Sequence, residues 1–263
     1  MQNNAMTEEK IRGYLPPSLS SAVDISVYEI TDSTNLRARE LARGGVIRPS
    51  VILTDGQTDG RGRLGRSFHS ESGVGIYMSF LLGGDTLGED FTKITRYAAV
   101  KLARAIDSLA PIRSEIKWVN DIYFSGKKLA GILVEGVLDE RGELKYAVIG
   151  IGVNVLRTEY PEPLRDIAAS IEDASGKRVE RSRLAARIIE EILKDINSIS
   201  APDIIEEYRT RSMLIGSRVS VIKPAEKYGA TVLDISDGGA LVVLRDSGER
   251  EELYTGEVSV KPL

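Results

Sequence analysis

Cysteine is absent from the 263-residue sequence, and histidine occurs once, at His69. The first absence excludes disulfides, thiolate metal sites and a cysteine nucleophile. The second leaves a Ser-His-Asp triad only one candidate base and rules out a zinc site rich in imidazole. No stretch approaches the ~18 consecutive apolar residues of a membrane-spanning helix, and the first ten residues lack the apolar segment of a secretory signal. A soluble, cytoplasmic protein without a membrane partner is the expectation. Chemistry must then rest on Lys, Arg, Asp, Glu, Asn, Gln and backbone amides, with a hard cation such as Mg²⁺ on oxygen ligands still open.

What is present reads as globular: 42% hydrophobic and 28% charged residues, with a net charge of −4. An overall acidic chain is no nucleic-acid footprint, so any anion site must be local. The length suits one large domain with or without a small one. Residues 1–24 read as a loose tail broken by Pro16 and Pro17. Strands are expected at 25–30, 51–53, 75–82 and 116–119, and two long ones at 129–138 and 144–155 joined as a hairpin. Asp32 or Ser33 can cap a helix that turns Leu36, Leu41 and Ala42 inward and stops at Gly44-Gly45. Apolar residues at 3.6 spacing predict helices over 90–110 and 184–199, and a third follows Pro202. Beyond Gly216 the pattern changes to five short strands with turn signals, which predicts a small β-barrel. The boundary falls near 214, giving units 25–214 and 215–263.

The segment Gly60-Arg-Gly-Arg-Leu-Gly-Arg66 combines glycines, which allow close backbone approach, with guanidinium donors suited to carboxylate or phosphate. Read alone, it is equally a solvated basic loop. It is not a Walker A loop, since no Gly-Lys-Ser/Thr follows, and Gly150-Ile-Gly152 is a poor Rossmann fingerprint because the chain continues as strand. In Lys117-Trp-Val-Asn-Asp121 a strand ends on two polar side chains, and a turn brings them near Lys128. Lys128 could stabilise a transferring phosphoryl group, or could merely pair with Asp121 at the surface. Gly131 leaves room for a flat ligand.

Taken in order, Asp32-Ser-Thr-Asn35, Gln57-Thr-Asp-Gly-Arg-Gly-Arg-Leu-Gly-Arg66, Lys117-Trp-Val-Asn-Asp-Ile-Tyr123, Lys128-Leu-Ala-Gly-Ile-Leu-Val-Glu135 and Gly150-Ile-Gly-Val-Asn154 resemble the biotin protein ligases. The likeness runs from about residue 25 to 260. It implies an α+β fold: a mixed β-sheet with flanking helices, similar to class II aminoacyl-tRNA synthetases, plus a small SH3-like C-terminal barrel. It also implies formation of biotinyl-5′-AMP from biotin and ATP with Mg²⁺, then transfer of biotin to a lysine of a biotin carboxyl carrier protein or equivalent domain.

By the same resemblance, Ser33, Thr34, Asn35 and Gln57 meet the biotin ring, and Arg61, Gly62 and Arg63 belong to a loop that folds over biotin and the adenylate. Lys128 contacts the biotin carboxylate and the α-phosphate. Trp118, Asn120 and Asn154, with Arg61, Arg63 and Lys128, lie toward the nucleotide. Lys128, Arg63 and Asp121 are the catalytic candidates, Asp121 orienting or deprotonating the incoming lysine, and no side chain is assigned to a metal. His69 is read as structural. Val119 and Glu71 stand where the family commonly has proline. Only about 24 residues precede the first strand, too few for the helix-turn-helix domain of family repressors, so no specific DNA binding is expected. Edge strands permit pairing into a homodimer. The rival within the fold is a lipoate or octanoyl ligase. An RNA-binding protein is disfavoured by net acidity and the lack of aromatic platforms near the loop.

Overall fold

A computed structural model describes residues 5–45, 48–84, 93–223 and 226–254, and the backbone alone of 257–260. Seven strands form one mixed sheet in the order β1-β2-β3-β7-β6-β5-β4. They are β1 (Asp24–Thr31), β2 (Ser50–Gln57), β3 (Gly75–Gly83), β4 (Glu115–Lys117), β5 (Asp121–Phe124), β6 (Lys127–Leu138) and β7 (Leu144–Asn154). β1 and β2 run parallel and every other pair is antiparallel. The helices among the described residues are α1 (Glu8–Tyr14), α2 (Pro17–Ala22), α3 (Thr34–Arg43), α4 (Ile94–Leu109), α5 (Ile171–Ser175), α6 (Arg181–Lys194) and α7 (Pro202–Thr210). A second, five-stranded antiparallel sheet follows, ordered β11-β10-β9-β8-β12. Its strands are β8 (Arg218–Ile222), β9 (Lys227–Ile235), β10 (Leu241–Arg245), β11 (Arg250–Leu253) and β12 (Glu257–Val260).

Because side chains alternate across a strand, the large sheet has two distinct faces. Val51, Leu53, Phe80, Leu82, Ala147 and Ile149 point to one and join the main core with α1, α4 and α6. Ile52, Leu81 and Val148 point to the other and pack against Ala38 and Ala42 of α3. α3 is short and covers only part of that face. Further along the same strands the face carries Ser79, Gly150 and Gly152, and Gly152 lies opposite Gly131. A stretch of sheet with almost no side chains is thereby left beside α3, and the site is built on it.

The expected loose tail at 1–24 is corrected here. α1 and α2 are helical, Met6, Leu15 and Val23 are buried, and Ile11 is fully enclosed in the main core. Thr7 caps α1 by accepting from Lys10 N. The prolines that suggested disorder act as a helix start, Pro17 being the first residue of α2. Leu41, expected inward, is 43% exposed, because Ala38 and Ala42 form the buried stripe instead. The start of the helix expected at 90 lies outside the described residues, and the helix is seen from Ile94. The helix expected over 184–199 ends at Lys194, and a 3₁₀ turn continues it at Ile196–Ser198.

The two sheets meet through polar contacts at one turn. Trp118 Nε1 donates to Gly239 O at 3.0 Å, Arg96 donates to Asp237 O at 3.2 Å, and Arg209 donates to Ile235 O at 2.6 Å. Tyr208 donates to Val119 O at 2.9 Å, and complete burial pushes its phenol well above the usual range, so it remains a donor.

Candidate active site

The bare stretch of sheet floors a cavity of about 240 Å³. Its walls come from the start of α3, the end of β2, the Gly/Arg loop and the β4–β5–β6 region. Ser33, Thr34, Asn35, Gln57, Arg61, Gly62, Arg63, Trp118, Asn120, Asp121 and Lys128 all line it. Of the expected site residues only Asn154 does not; its Nδ2 donates to Lys128 O at 3.4 Å. Residues spread over nearly 100 positions thus converge on one volume.

At one end lies a polar cluster. Ser33 occupies the N-cap position of α3 but its side chain caps nothing, while its backbone N–H donates to Asp32 Oδ1 at 2.6 Å. That hydrogen bond, with help from Thr31 and Arg37, holds the Asp32 carboxyl below its ordinary range. Thr34 N donates to Gln57 Oε1 at 2.9 Å, and Gln57 Nε2 donates to Ser70 Oγ at 2.9 Å. Ser79 Oγ lies 2.6 Å from Asn35 Oδ1 and 2.7 Å from Thr34 Oγ1. Thr34, Asn35 and Ser79 are buried, so these polar groups must be satisfied internally or by a ligand. Gly150 makes room for them: a Cβ there would overlap the Asn35 carboxamide.

The middle of the floor is apolar and flat. Phe68 lies against Gly152, where a Cβ would come 2.5 Å from the ring, and against Gly131. Phe68 was not legible as a site residue in the sequence. Gly131 and Gly152 could have pointed to it, but only once their cross-strand register is known.

At the other end, positive charge gathers. Lys128 Nζ donates to Asp121 Oδ1 at 2.8 Å and sits 5.9 Å from the Phe68 ring centroid. Arg63 Nη1 donates to Asn120 Oδ1 at 3.2 Å, and Asn120 Nδ2 donates to Ile132 O at 2.7 Å. The neighbours Asn120 and Asp121 therefore hold one cation from the loop and one from the strand. The Asp121–Lys128 ion pair lies inside the cavity, since both residues line it. Arg61 turns outward to Asp59, at 3.1 Å. In the loop itself Leu64 takes a left-handed conformation, φ 55°, and is 73% exposed. His69 is not among the cavity-lining residues; it stands 3.9 Å from Glu71 and edge-on to Tyr160.

One cavity thus has buried hydroxyl and carboxamide groups at one end and two cations at the other. Residues 27–154 match the Biotin/lipoate A/B protein ligase family, and residues 214–261 match the Biotin protein ligase C terminal domain. The chain is 32% identical over 248 residues to the biotin–[acetyl-CoA-carboxylase] ligase of Mycobacterium tuberculosis, covering 90% of this chain and 89% of that protein. The chain belongs to the biotin/lipoate A/B protein ligase family. Another relative is the bifunctional ligase/repressor BirA of Bacillus spizizenii, 31% identical over 88% of this chain and 72% of that protein. Among solved structures, the biotin protein ligase from Aquifex aeolicus in complex with biotin and ATP is similar, with TM-score 0.78 and 26% identity over 90% of this chain and 98% of that one. The large mixed sheet with its helices and the small antiparallel sheet are thus the fold of this family.

Proposed function

We propose that the protein is an ATP-dependent biotin protein ligase, which makes biotinyl-5′-AMP and passes biotin to a lysine of a biotin carboxyl carrier domain. The observation that carries this reading is the division of one cavity into a polar end and a cationic end. A urea offers one acceptor and two donors. Ser33, Thr34 and Gln57 supply matching partners, Asn35 backs them through its contact with Ser79, and Gly131, Gly152 and Phe68 accommodate the flat bicycle. A lipoyl dithiolane has no N–H or C=O and would make no hydrogen bond to this polar end, which disfavours the lipoate alternative.

In the first step an oxygen of the biotin carboxylate attacks the α-phosphorus of ATP, and the bond to the bridging oxygen breaks to release pyrophosphate. Two anions must approach, and Lys128 from its strand and Arg63 from the loop reduce the repulsion. In the second step a neutral lysine amine attacks the acyl carbon, AMP leaves with the electron pair of the C–O bond, and the amine proton is lost. Asp121, already within the cavity, is the group to orient that amine. Trp118 and Asn120 lie toward the nucleotide, whereas Asn154 supports it only through the Lys128 backbone.

Among the described residues no group of three or more His, Asp or Glu is placed to hold a metal, and Asp121 is the one carboxylate among the cavity-lining residues. Mg²⁺ therefore fits as part of the MgATP substrate, neutralising phosphate charge. The C-terminal sheet, from residue 215 on, is proposed to be SH3-like, and the catalytic unit, 25–214 with the N-terminal helices packed into its core, to share the class II synthetase arrangement. No helix among the described residues is long and apolar enough to cross a membrane; a cytoplasmic setting and a homodimer paired through a sheet edge belong to the same proposal.

Transfer of labelled biotin to a carrier-domain protein, dependent on ATP and Mg²⁺, tests the reading; no transfer with any carrier domain tried, together with no biotin binding, rejects it. Arg63→Ala is expected to speed escape of biotinyl-AMP into solution, followed as free adenylate hydrolysed per turnover. Unchanged retention would remove the loop from that role. Gly152→Ala is expected to weaken biotin binding about tenfold to a hundredfold, as an overpacked site costing ~1–3 kcal/mol would, with calorimetric titration as the measurement.

A further inference from the structure

Glu135 lies behind the polar end of the cavity, not in its lining. Its side chain is 26% exposed. Asn35 Nδ2 donates to Glu135 Oε2 at 2.7 Å, and Arg39 Nη1 holds the other carboxylate oxygen at 3.3 Å. An ionised carboxylate only accepts, so it forces the Asn35 carboxamide to present its NH₂ outward and Oδ1 inward. Oδ1 is 2.6 Å from Ser79 Oγ. An amide oxygen has no hydrogen, so the one Ser79 hydroxyl hydrogen must go to it. The 2.7 Å contact between Ser79 Oγ and Thr34 Oγ1 then has to be donated by Thr34. With its only hydrogen committed to Ser79 at 2.7 Å rather than to the more distant Gln57 Oε1 at 3.3 Å, Thr34, a cavity-lining residue, is left with Oγ1 as an acceptor.

Gln57 is oriented independently. Its Oε1 accepts from the Thr34 backbone N–H, so its Nε2 is the donor end, with one hydrogen on Ser70 Oγ and the second left for a ligand.

We infer that Glu135 is a positioning residue that sets the direction of the hydrogen-bond chain Glu135–Asn35–Ser79–Thr34, and thereby makes the ring end of the cavity select a ligand N–H at Thr34. The inference rests on the biotin reading for the identity of that N–H, but the directionality itself does not. Removing the carboxylate frees Asn35 to turn over. A carboxamide turned over would donate to Ser79 and Ser79 would donate to Thr34, so the Thr34 hydrogen would be released either toward the ligand N–H, donor against donor, or into its longer 3.3 Å contact with Gln57 Oε1, which already accepts from the Thr34 backbone N–H.

Two measurements on the full chain test it. In the first, Glu135→Leu and Glu135→Gln are titrated without ATP against biotin and against a cyclic carbamate analogue, in which one ureido N–H is replaced by oxygen. Glu135→Leu should raise the biotin Kd about tenfold to a hundredfold and shrink the preference for biotin over the carbamate, while the KM for ATP, read separately from pyrophosphate release at saturating biotin, is unchanged. Glu135→Gln keeps an acceptor oxygen for Asn35 and should retain both affinity and preference. An unaltered biotin-to-carbamate ratio in Glu135→Leu overturns the inference. So does equal weakening of biotin and ATP that Glu135→Gln does not rescue.

The second measurement uses no ligand. The side-chain ¹⁵N–¹H signals of Asn35 should be protected from exchange in the parent protein and in Glu135→Gln, and lose protection in Glu135→Leu. Insensitivity of those signals to position 135 overturns the chain of hydrogen bonds. Their expected response in a protein that binds no biotin would retain the chain and reject the biotin reading instead.

Discussion

Lys128→Ala is expected to lower the rate of adenylate formation by about 10²–10³-fold, the usual penalty for losing a preorganised charge at a reacting anion. The effect should be large because the ammonium is held on a rigid strand. Lys128 N donates to Ile167 O at 2.7 Å, and Lys128 O accepts from Ala169 N at 3.0 Å. Those bonds are backbone bonds and survive truncation, so the variant should fold. The side chain is 26% exposed and its ammonium lies beside the Phe68 ring and the Gly131 floor, where water screens a charge less than in bulk. Truncation also leaves Asp121 without its 2.8 Å partner. Adding Asp121→Asn separates the two causes: if the rate recovers, the loss came from an uncompensated carboxylate and not from missing charge at the phosphate. Pyrophosphate release close to that of the parent protein would remove Lys128 from the chemistry altogether.

Arg181→Ala is expected to cost about 3–5 kcal/mol of stability, the typical loss on breaking a buried ion pair. Arg181 begins α6 and its side chain is 1% exposed. Its Nη1 donates to Asp55 Oδ1 of β2 at 2.8 Å and to Gly75 O of β3 at 3.0 Å. One guanidinium thus ties a helix to the ends of two central strands, next to the point where β2 leads into the Gly/Arg loop. At roughly 2–4 °C per kcal/mol for a chain of this size, the melting midpoint should fall by about 6–20 °C. Pairing Arg181→Met with Asp55→Asn should recover part of that loss, because the unpaired carboxylate is removed as well. A midpoint within a degree or two of the parent protein would show that the pair contributes no net stability.

Much of the cationic end was legible from residue type and order. A glycine- and arginine-rich loop, a lysine at a strand start and an Asn-Asp pair at a strand end each carry chemistry that is local to a few residues. Their convergence on Asn120 and Asp121 followed from a short turn, which sequence proximity alone makes plausible. Phe68 was not legible, since one phenylalanine after a loop resembles any other. Ser79 was hidden within a buried strand, and Glu135 ends the Lys128–Glu135 segment without any indication of what it touches. The N-terminal helices were missed because Pro16, Pro17 and nearby serines weigh as breakers locally, whereas burial of Ile11 against a helix far along the chain decides the outcome.

By itself the sequence determined the types of chemistry open to this protein: no thiol, a single imidazole, and two families of basic side chains placed on a flexible loop and a fixed strand. It also determined most strands and helices, because hydrophobic periodicity is a local property. Only the tertiary structure decided which glycines face one another across β6 and β7, that α3 leaves that patch uncovered, and which way the hydrogens run from Glu135 to Thr34. Those outcomes depend on strand register and on contacts between residues as far apart as Asn35 and Glu135, and no local preference encodes them.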